Sequence, residues 1–143
     1  KPLKPMQRSP HGMIGPRPLA IANCEVAKLG WCFVGGCSLL ATLNTELDAS
    51  VIYYGRVTAN ADSLQKLNAP LLGHFGTLDK SINPEMVGAF QQNFAQTGKN
   101  DLMTTHRYTA CHAFANPTGG RYEEDDAALI RATTHKFLAA HLQ

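Results

Sequence analysis

From Glu25 to Leu40 the chain reads EVAKLGWCFVGGCSLL, and the reading of this stretch decides the rest. Val26, Ala27 and Leu29 make a short apolar strand pattern. Gly30-Trp31-Cys32 then forms a sharp corner, and from Gly35 onward GGCSLLATL reads as a helix packed back on that strand. An abrupt strand-to-helix turn with a nucleophile at its tip and small residues around it is a nucleophile elbow, here with Cys32 in place of the commoner serine. Such a turn pushes the side chain outward. The helix N-terminus behind it offers N–H groups and a positive dipole end, which favour a thiolate and bind an oxyanion. A buried cysteine in an ordinary strand–helix turn fits the same letters, and the stretch alone does not choose between the two.

Working outward, 143 residues suffice for one domain with a real core. With 17% charged residues and a net charge of +2, the chain has no basic stripe interleaved with aromatics, so no nucleic-acid partner is expected. No apolar run approaches a membrane span, and no apolar core follows the N-terminal lysines, so neither a membrane helix nor a signal peptide is expected. Cys24, Cys32, Cys37 and Cys111 lack CxxC spacing. That argues for neither zinc nor a disulfide framework and makes the cytoplasm the expected compartment. His74, His106, His135 and His141 share no metal-site spacing either, and no metal or organic cofactor is expected.

Residues 1–20 hold five of the eight prolines and no periodicity, which predicts an extended arm. Residues 21–143 are then the folded domain. Asp48 to Gly55 (DASVIYYG) is a second strand pattern, Asp62 to Leu67 at most a short helix, and Ala69 to Gly76 (APLLGHFG) a third strand. A well-marked helix follows: Asn83 to cap it, Pro84 at its first position, Glu85 at its positive end, Met86, Phe90 and Phe94 on one face and Gly98 to stop it. Thr104 to Ala110 is a fourth strand. Glu123 to His141, acidic at its start and basic at its end, suits a helix macrodipole. Four short strands alternating with helices predict an α/β layered domain with a mainly parallel sheet, in which reactive groups gather at the strands' carboxyl ends. Cys32, Asp79 and His112 each fall just after a predicted strand.

The stretches GWCFVGGCSLL, DASVIYYGR, APLLGHFGTLDKSINPEMV and HRYTACHAFANPTGGRY together resemble the dienelactone hydrolase family, a cysteine-nucleophile branch of the α/β hydrolases. The likeness runs from about Val26 to the C-terminus and implies the C-terminal part of a truncated α/β-hydrolase domain. It implies Cys32 as nucleophile, Asp79 as orienting acid and His112 as base, in the family's chain order, cleaving an ester or lactone through an acyl-enzyme. The Phe33 amide would be one oxyanion donor. Tyr53 and Tyr54, in a region that lines the family's pocket, are either pocket residues or packing with wet hydroxyls. Trp31 either walls the site or packs in the core. Cys111 and Cys37 read as packed structural residues.

Three departures from the family pattern stand out. Val34 occupies the position of a glycine two residues after the nucleophile, where a β-branched side chain is expected to crowd or relax the turn. Asn116 stands where family members acting on dienelactone have an arginine for a carboxylate, leaving Arg121 as the candidate substitute. The resemblance covers only the family's C-terminal half, so the earlier strands of its N-terminal half are expected to be missing here. The elbow strand would then be an exposed apolar edge, expected to be covered by a second copy, a complementing chain or the proline-rich arm, with a homodimer preferred. Two functions compete: a dienelactone hydrolase-like ester or lactone hydrolase, and an inactive truncated domain kept for dimerisation or binding.

Overall fold

The computed structural model describes residues 25–142. The arm expected over residues 1–20, and Cys24 beyond it, lie outside the described residues. Four strands, β1 (Ala27–Trp31), β2 (Ala49–Tyr53), β3 (Leu71–Gly76) and β4 (Met103–Tyr108), lie side by side in chain order, and every pair is parallel. The connecting helices are α1 (Cys32–Asn44), α2 (Ala61–Leu64) and α3 (Pro84–Ala95), and α4 (Glu124–His141) follows the last strand. This is the expected α/β layered domain, a parallel four-stranded sheet flanked by helices.

Parallel crossovers share one hand, so a sheet built in chain order receives its connecting helices on one face. Leu39 and Leu43 of α1, Leu64 of α2 and Phe90 and Phe94 of α3 accordingly share one core with Ile52, Leu71 and Phe75. On the opposite face Val51, Tyr53, Leu72 and Tyr108 pack with Ile130 of α4, whose buried Ala127, Ile130 and Thr134 form a stripe at helical spacing. Sandwiched between the two layers, β2 and β3 are buried along their whole length, which explains their nearly unbroken apolar sequences. Asn83 caps α3 as its position suggests, its Oδ1 accepting the Met86 N–H at 2.9 Å, and Gly98 leaves the helix with φ +73°.

The elbow differs from expectation in two respects. β1 runs through Trp31 and α1 begins at Cys32 rather than at Gly35, because Cys32 alone absorbs the turn with φ 52°. Val34 neither crowds nor relaxes that turn; its side chain is 52% exposed. The close approaches lie elsewhere. A Cβ on Gly30 would come within 2.5 Å of the Val34 carbonyl, and one on Gly55 would meet the Cα of Gly35 at 2.6 Å. Gly35, not residue 34, is therefore where helix and sheet backbone touch. Cys37 and Cys111, expected to be packed, are exposed. Cys37 falls on the side of α1 turned away from Leu39 and Leu43.

A polar network crosses the α4 face. Tyr53 donates its hydroxyl hydrogen to Thr134 Oγ1 (2.7 Å), which lies 3.1 Å from His74 Nε2, and His74 Nδ1 lies 2.9 Å from the Tyr108 hydroxyl. His74 is completely buried, with His106 stacked at 5.7 Å and Tyr53 at 5.1 Å. Burial, and after it His106, pushes its pKa down to about 3. At neutral pH the ring is a neutral link between β2, β3, β4 and α4.

Two measurements follow from these contacts. Gly55→Ala drives a methyl group into the Gly35 backbone and is expected to destabilise the protein by roughly 2 kcal/mol or more, read from the urea midpoint. The unfolded chain takes up a proton at His74 near pH 6.5 that the folded protein refuses until about pH 3. This contribution to stability is therefore complete above pH 6.5 and is lost below it at about 1.4 kcal/mol per pH unit. Between about pH 7 and pH 5 the parent should lose more stability than His74→Gln. Equal losses would mean that the ring protonates inside the fold.

Candidate active site

The carboxyl ends of the strands bring Cys32, Asp79 and His112 to one rim, and each is held there by local structure. Asp79, in the turn after β3, accepts the N–H groups of Ser81 (2.7 Å) and Ile82 (2.9 Å) at Oδ1. Its other oxygen, Oδ2, lies 2.7 Å from His112 Nδ1; the carboxylate is 1% exposed and the imidazole 22%. With two amides and an imidazole around it, the carboxylate is an acceptor throughout, so Nδ1–H donates and Nε2 is left as the proton acceptor. Asp79 is thus both the strand-end cap and the partner of the histidine.

Strain concentrates at the same rim. The non-glycine residues with positive φ among the described residues are Cys32 (52°), Tyr54 (38°) and Ala113 (64°). One follows β1, one follows β2 and one follows His112. Such conformations cost on the order of 1–3 kcal/mol each and persist where the surroundings over-determine them. The Tyr54 N–H donates to the His74 carbonyl at 2.7 Å, while its ring packs edge-on against His112 (5.4 Å) and Phe114 (5.5 Å). Cys32, half-buried, packs against this aromatic cluster. Burial and then the negative Asp79 push the Cys32 thiol up, and burial, then Cys32 and Tyr53, push the Tyr54 phenol up. The resting sulfur is therefore a thiol. Among the described residues it has no hydrogen-bond partner.

The remaining candidates separate. Phe33 is the second residue of α1, so its amide is one of those left without a helical acceptor, while its side chain is 82% exposed. Trp31 is half-exposed and stacks on Tyr53 with ring centroids 5.0 Å apart. Both line a groove of about 400 Å³ between β1 and α4, with Leu29, Ile130, Arg131 and Leu138 among the other walls and neither Cys32 nor His112. The Tyr53 hydroxyl is bonded inside the protein to Thr134, not wet. Tyr54 is a buried buttress of the histidine. Arg121 is exposed in the turn before α4 and lines no part of the groove. Asn116 Oδ1 accepts from the Thr118 amide and hydroxyl in its own turn.

Sequence reasoning missed Thr134 and the strained Ala113; neither carries a signal, since a helical threonine and a loop alanine are unremarkable letters. Among the described residues no group of three or more His, Cys, Asp or Glu is placed to hold a metal ion, and no helix is long and apolar enough to cross a membrane.

Comparison with known proteins adds the lineage. Carboxymethylenebutenolidase 1 of Cupriavidus pinatubonensis is 27% identical over 124 residues, covering 86% of this chain and 52% of that protein. A dienelactone hydrolase-like promiscuous phosphotriesterase from metagenomic libraries shares the fold with a TM-score of 0.73 at 20% identity, over 82% of this chain and 52% of that one. An esterase of Pyrococcus furiosus does so with a TM-score of 0.68 at 11% identity, over 83% of this chain and 55% of that one. The chain spans about half the length of these relatives. The model of the dienelactone hydrolase family matches residues 20–142, and the chain belongs to that family.

Proposed function

We propose that this chain carries the catalytic rim of a hydrolase of carboxylic esters or lactones, with Cys32 as nucleophile, His112 as base and Asp79 as the group that orients it. The observation that carries the reading is the 2.7 Å His112 Nδ1–Asp79 Oδ2 contact at the rim that also holds the strained Cys32. Names among the relatives, a carboxymethylenebutenolidase and an esterase, support ester-type substrates. Asn116, turned into its own loop, gives no support for a carboxylate on the substrate.

The chemistry follows from the geometry. Because burial and Asp79 hold the sulfur as a thiol, attack requires His112 Nε2 to take the thiol proton as the sulfur–carbon bond forms. Asp79 stabilises the resulting imidazolium and keeps Nδ1 in its donating tautomer. The carbonyl oxygen, now an oxyanion, receives the Phe33 N–H at the start of α1. Collapse breaks the ester C–O bond, and the leaving oxygen takes the proton from His112. Water, deprotonated by the same nitrogen, then attacks the thioester and releases the acid and the thiol.

The groove observation favours a second reading. A cavity that includes Trp31 and Tyr53 but neither Cys32 nor His112 suits a domain that binds rather than turns over.

On a panel of nitrophenyl esters and lactones, Cys32→Ala should abolish turnover, and His112→Ala should lower kcat by about 10²–10⁴-fold. Mass spectrometry should find an acyl group on the Cys32 peptide of the parent. Turnover unchanged in both variants rejects the thiol mechanism, and a folded parent with no turnover and no acylation supports the binding reading. Alkylation of Cys32 should titrate above the ordinary thiol range. Asp79→Asn should bring that midpoint down, because removing a nearby negative charge makes the thiolate easier to form.

A further inference from the structure

Consecutive residues of a strand point to opposite faces of the sheet. Tyr53 and Tyr54 do not: both side chains belong to the cluster on the α4 face, with Leu72, Tyr108 and Phe114. The left-handed backbone at Tyr54, φ 38°, re-aims the second ring. The same happens one strand over. Trp31 lies opposite Tyr53 in the sheet and stacks on it at 5.0 Å, and Cys32, the next residue, turns with φ 52° and packs against that same cluster. Cys32 and Tyr54 are therefore matching positions at the ends of paired strands, each strained and each turned toward the same side chains. Strain placed in this way points to use.

The packing of Tyr54 leaves one group idle. Its amide donates to the His74 carbonyl at 2.7 Å, its ring is fixed edge-on by His112 and Phe114, and the residue is 2% exposed. The Tyr53 and Tyr108 hydroxyls are bonded, to Thr134 and His74, whereas the Tyr54 hydroxyl has no hydrogen-bond partner. Among the described residues no fully buried side-chain oxygen or nitrogen lacks a partner, so this hydroxyl is not sealed but opens to the rim. The Cys32 sulfur, half-buried and likewise unbonded, sits beside it in the cluster. Charge on the sulfur is felt at the phenol: after burial, Cys32 contributes most to pushing the Tyr54 pKa up, with Tyr53 behind it. The phenol thus keeps its hydrogen wherever the thiol titrates.

We propose that Tyr54 is a positioning residue for the nucleophile, its hydroxyl donating a hydrogen bond to the Cys32 sulfur once that sulfur has given its proton to His112. The inference rests on Cys32 acting as the nucleophile. A thiol sulfur accepts hydrogen bonds weakly and a charged acceptor strongly, so the bond forms as the charge does, and no proton leaves the phenol. Rotation about the Cys32 Cα–Cβ bond is the movement it needs, while the Tyr54 ring stays fixed. The titratable groups facing the pair are Asp79 beyond β3, His112 beyond β4 and Tyr53 on β2. Asp79 repels the new charge and Tyr53 is engaged with Thr134, which leaves Tyr54 and the newly protonated His112 to meet it.

Tyr54→Phe keeps the ring, and with it the support of His112, and deletes only the donor. Alkylation by iodoacetamide across a range of pH, read by mass spectrometry on the Cys32 peptide, should show a midpoint about one unit higher than in the parent. The urea midpoint should not fall, since the resting fold loses no bond. The same rise should appear when Tyr54→Phe is added to His112→Ala, because the donor acts on the sulfur itself. An unchanged or lowered alkylation midpoint overturns the proposal. So does a rise that vanishes in the His112→Ala background, which makes Tyr54 a support of the imidazole alone. Alkylation requires no turnover, so a parent that hydrolyses no ester counts against the hydrolase reading while the titration still decides the role of Tyr54.

Discussion

The contact on which the molecule turns is between two backbones: Gly35 in the first helical turns of α1 and Gly55 just past the end of β2. With no side chain on either, the helix can lie directly on the sheet within four residues of the strand that precedes it. That leaves the chain one residue in which to reverse, and Cys32 takes the whole turn in a left-handed conformation. Everything at the rim inherits its position from this. The thiol stands at the head of α1, the Phe33 amide follows it, and β1 stays close enough to pair with β2 along its whole length.

Elsewhere at the rim the same logic repeats with aromatic side chains in place of glycines. Tyr54 is strained, buried and bonded through its amide to the β3 backbone, and its ring backs His112. The strain at Tyr54 and Ala113 is held by Phe114 and the packing beneath them, so the imidazole meets the Asp79 carboxylate without mobile side chains having to converge. Burial of the sulfur, and after it the negative charge of Asp79, raises the Cys32 thiol and thereby makes the base necessary. Charge and strain here are two expressions of one crowded strand end.

Much of this was legible in the letters. Strand positions followed from apolar runs such as SVIY and LLGHFG, and α3 from Asn83, Pro84 and the Phe90–Phe94 spacing, because capping and burial are local and leave local marks. Cys32, Asp79 and His112 could be named since each follows a strand. The turn itself misled: Val34 looked like an intruder because a glycine was expected at that position, whereas the close contact belongs to Gly35 and a residue twenty positions on. The exposure of Cys37 was equally unreadable, for it depends on which side of α1 the neighbouring elements occupy. Tertiary partners far along the chain, such as Thr134 beneath Tyr53 and His74, leave no imprint on the sequence around the residues they hold.

That last partnership bears on how the polypeptide comes into being. Among the described residues the back of β2 and β3 is covered by α4, which follows every described strand, and Thr134 joins residues 81 and 60 positions earlier. During vectorial synthesis the front of the sheet can condense as soon as α3 has emerged from the ribosome. Val51, Leu72 and the ring of His74 stay open to water until the final turns of α4 clear the exit tunnel. The nascent chain therefore passes through a half-clad stage, with the transiently exposed apolar surface that makes partly folded chains prone to aggregate.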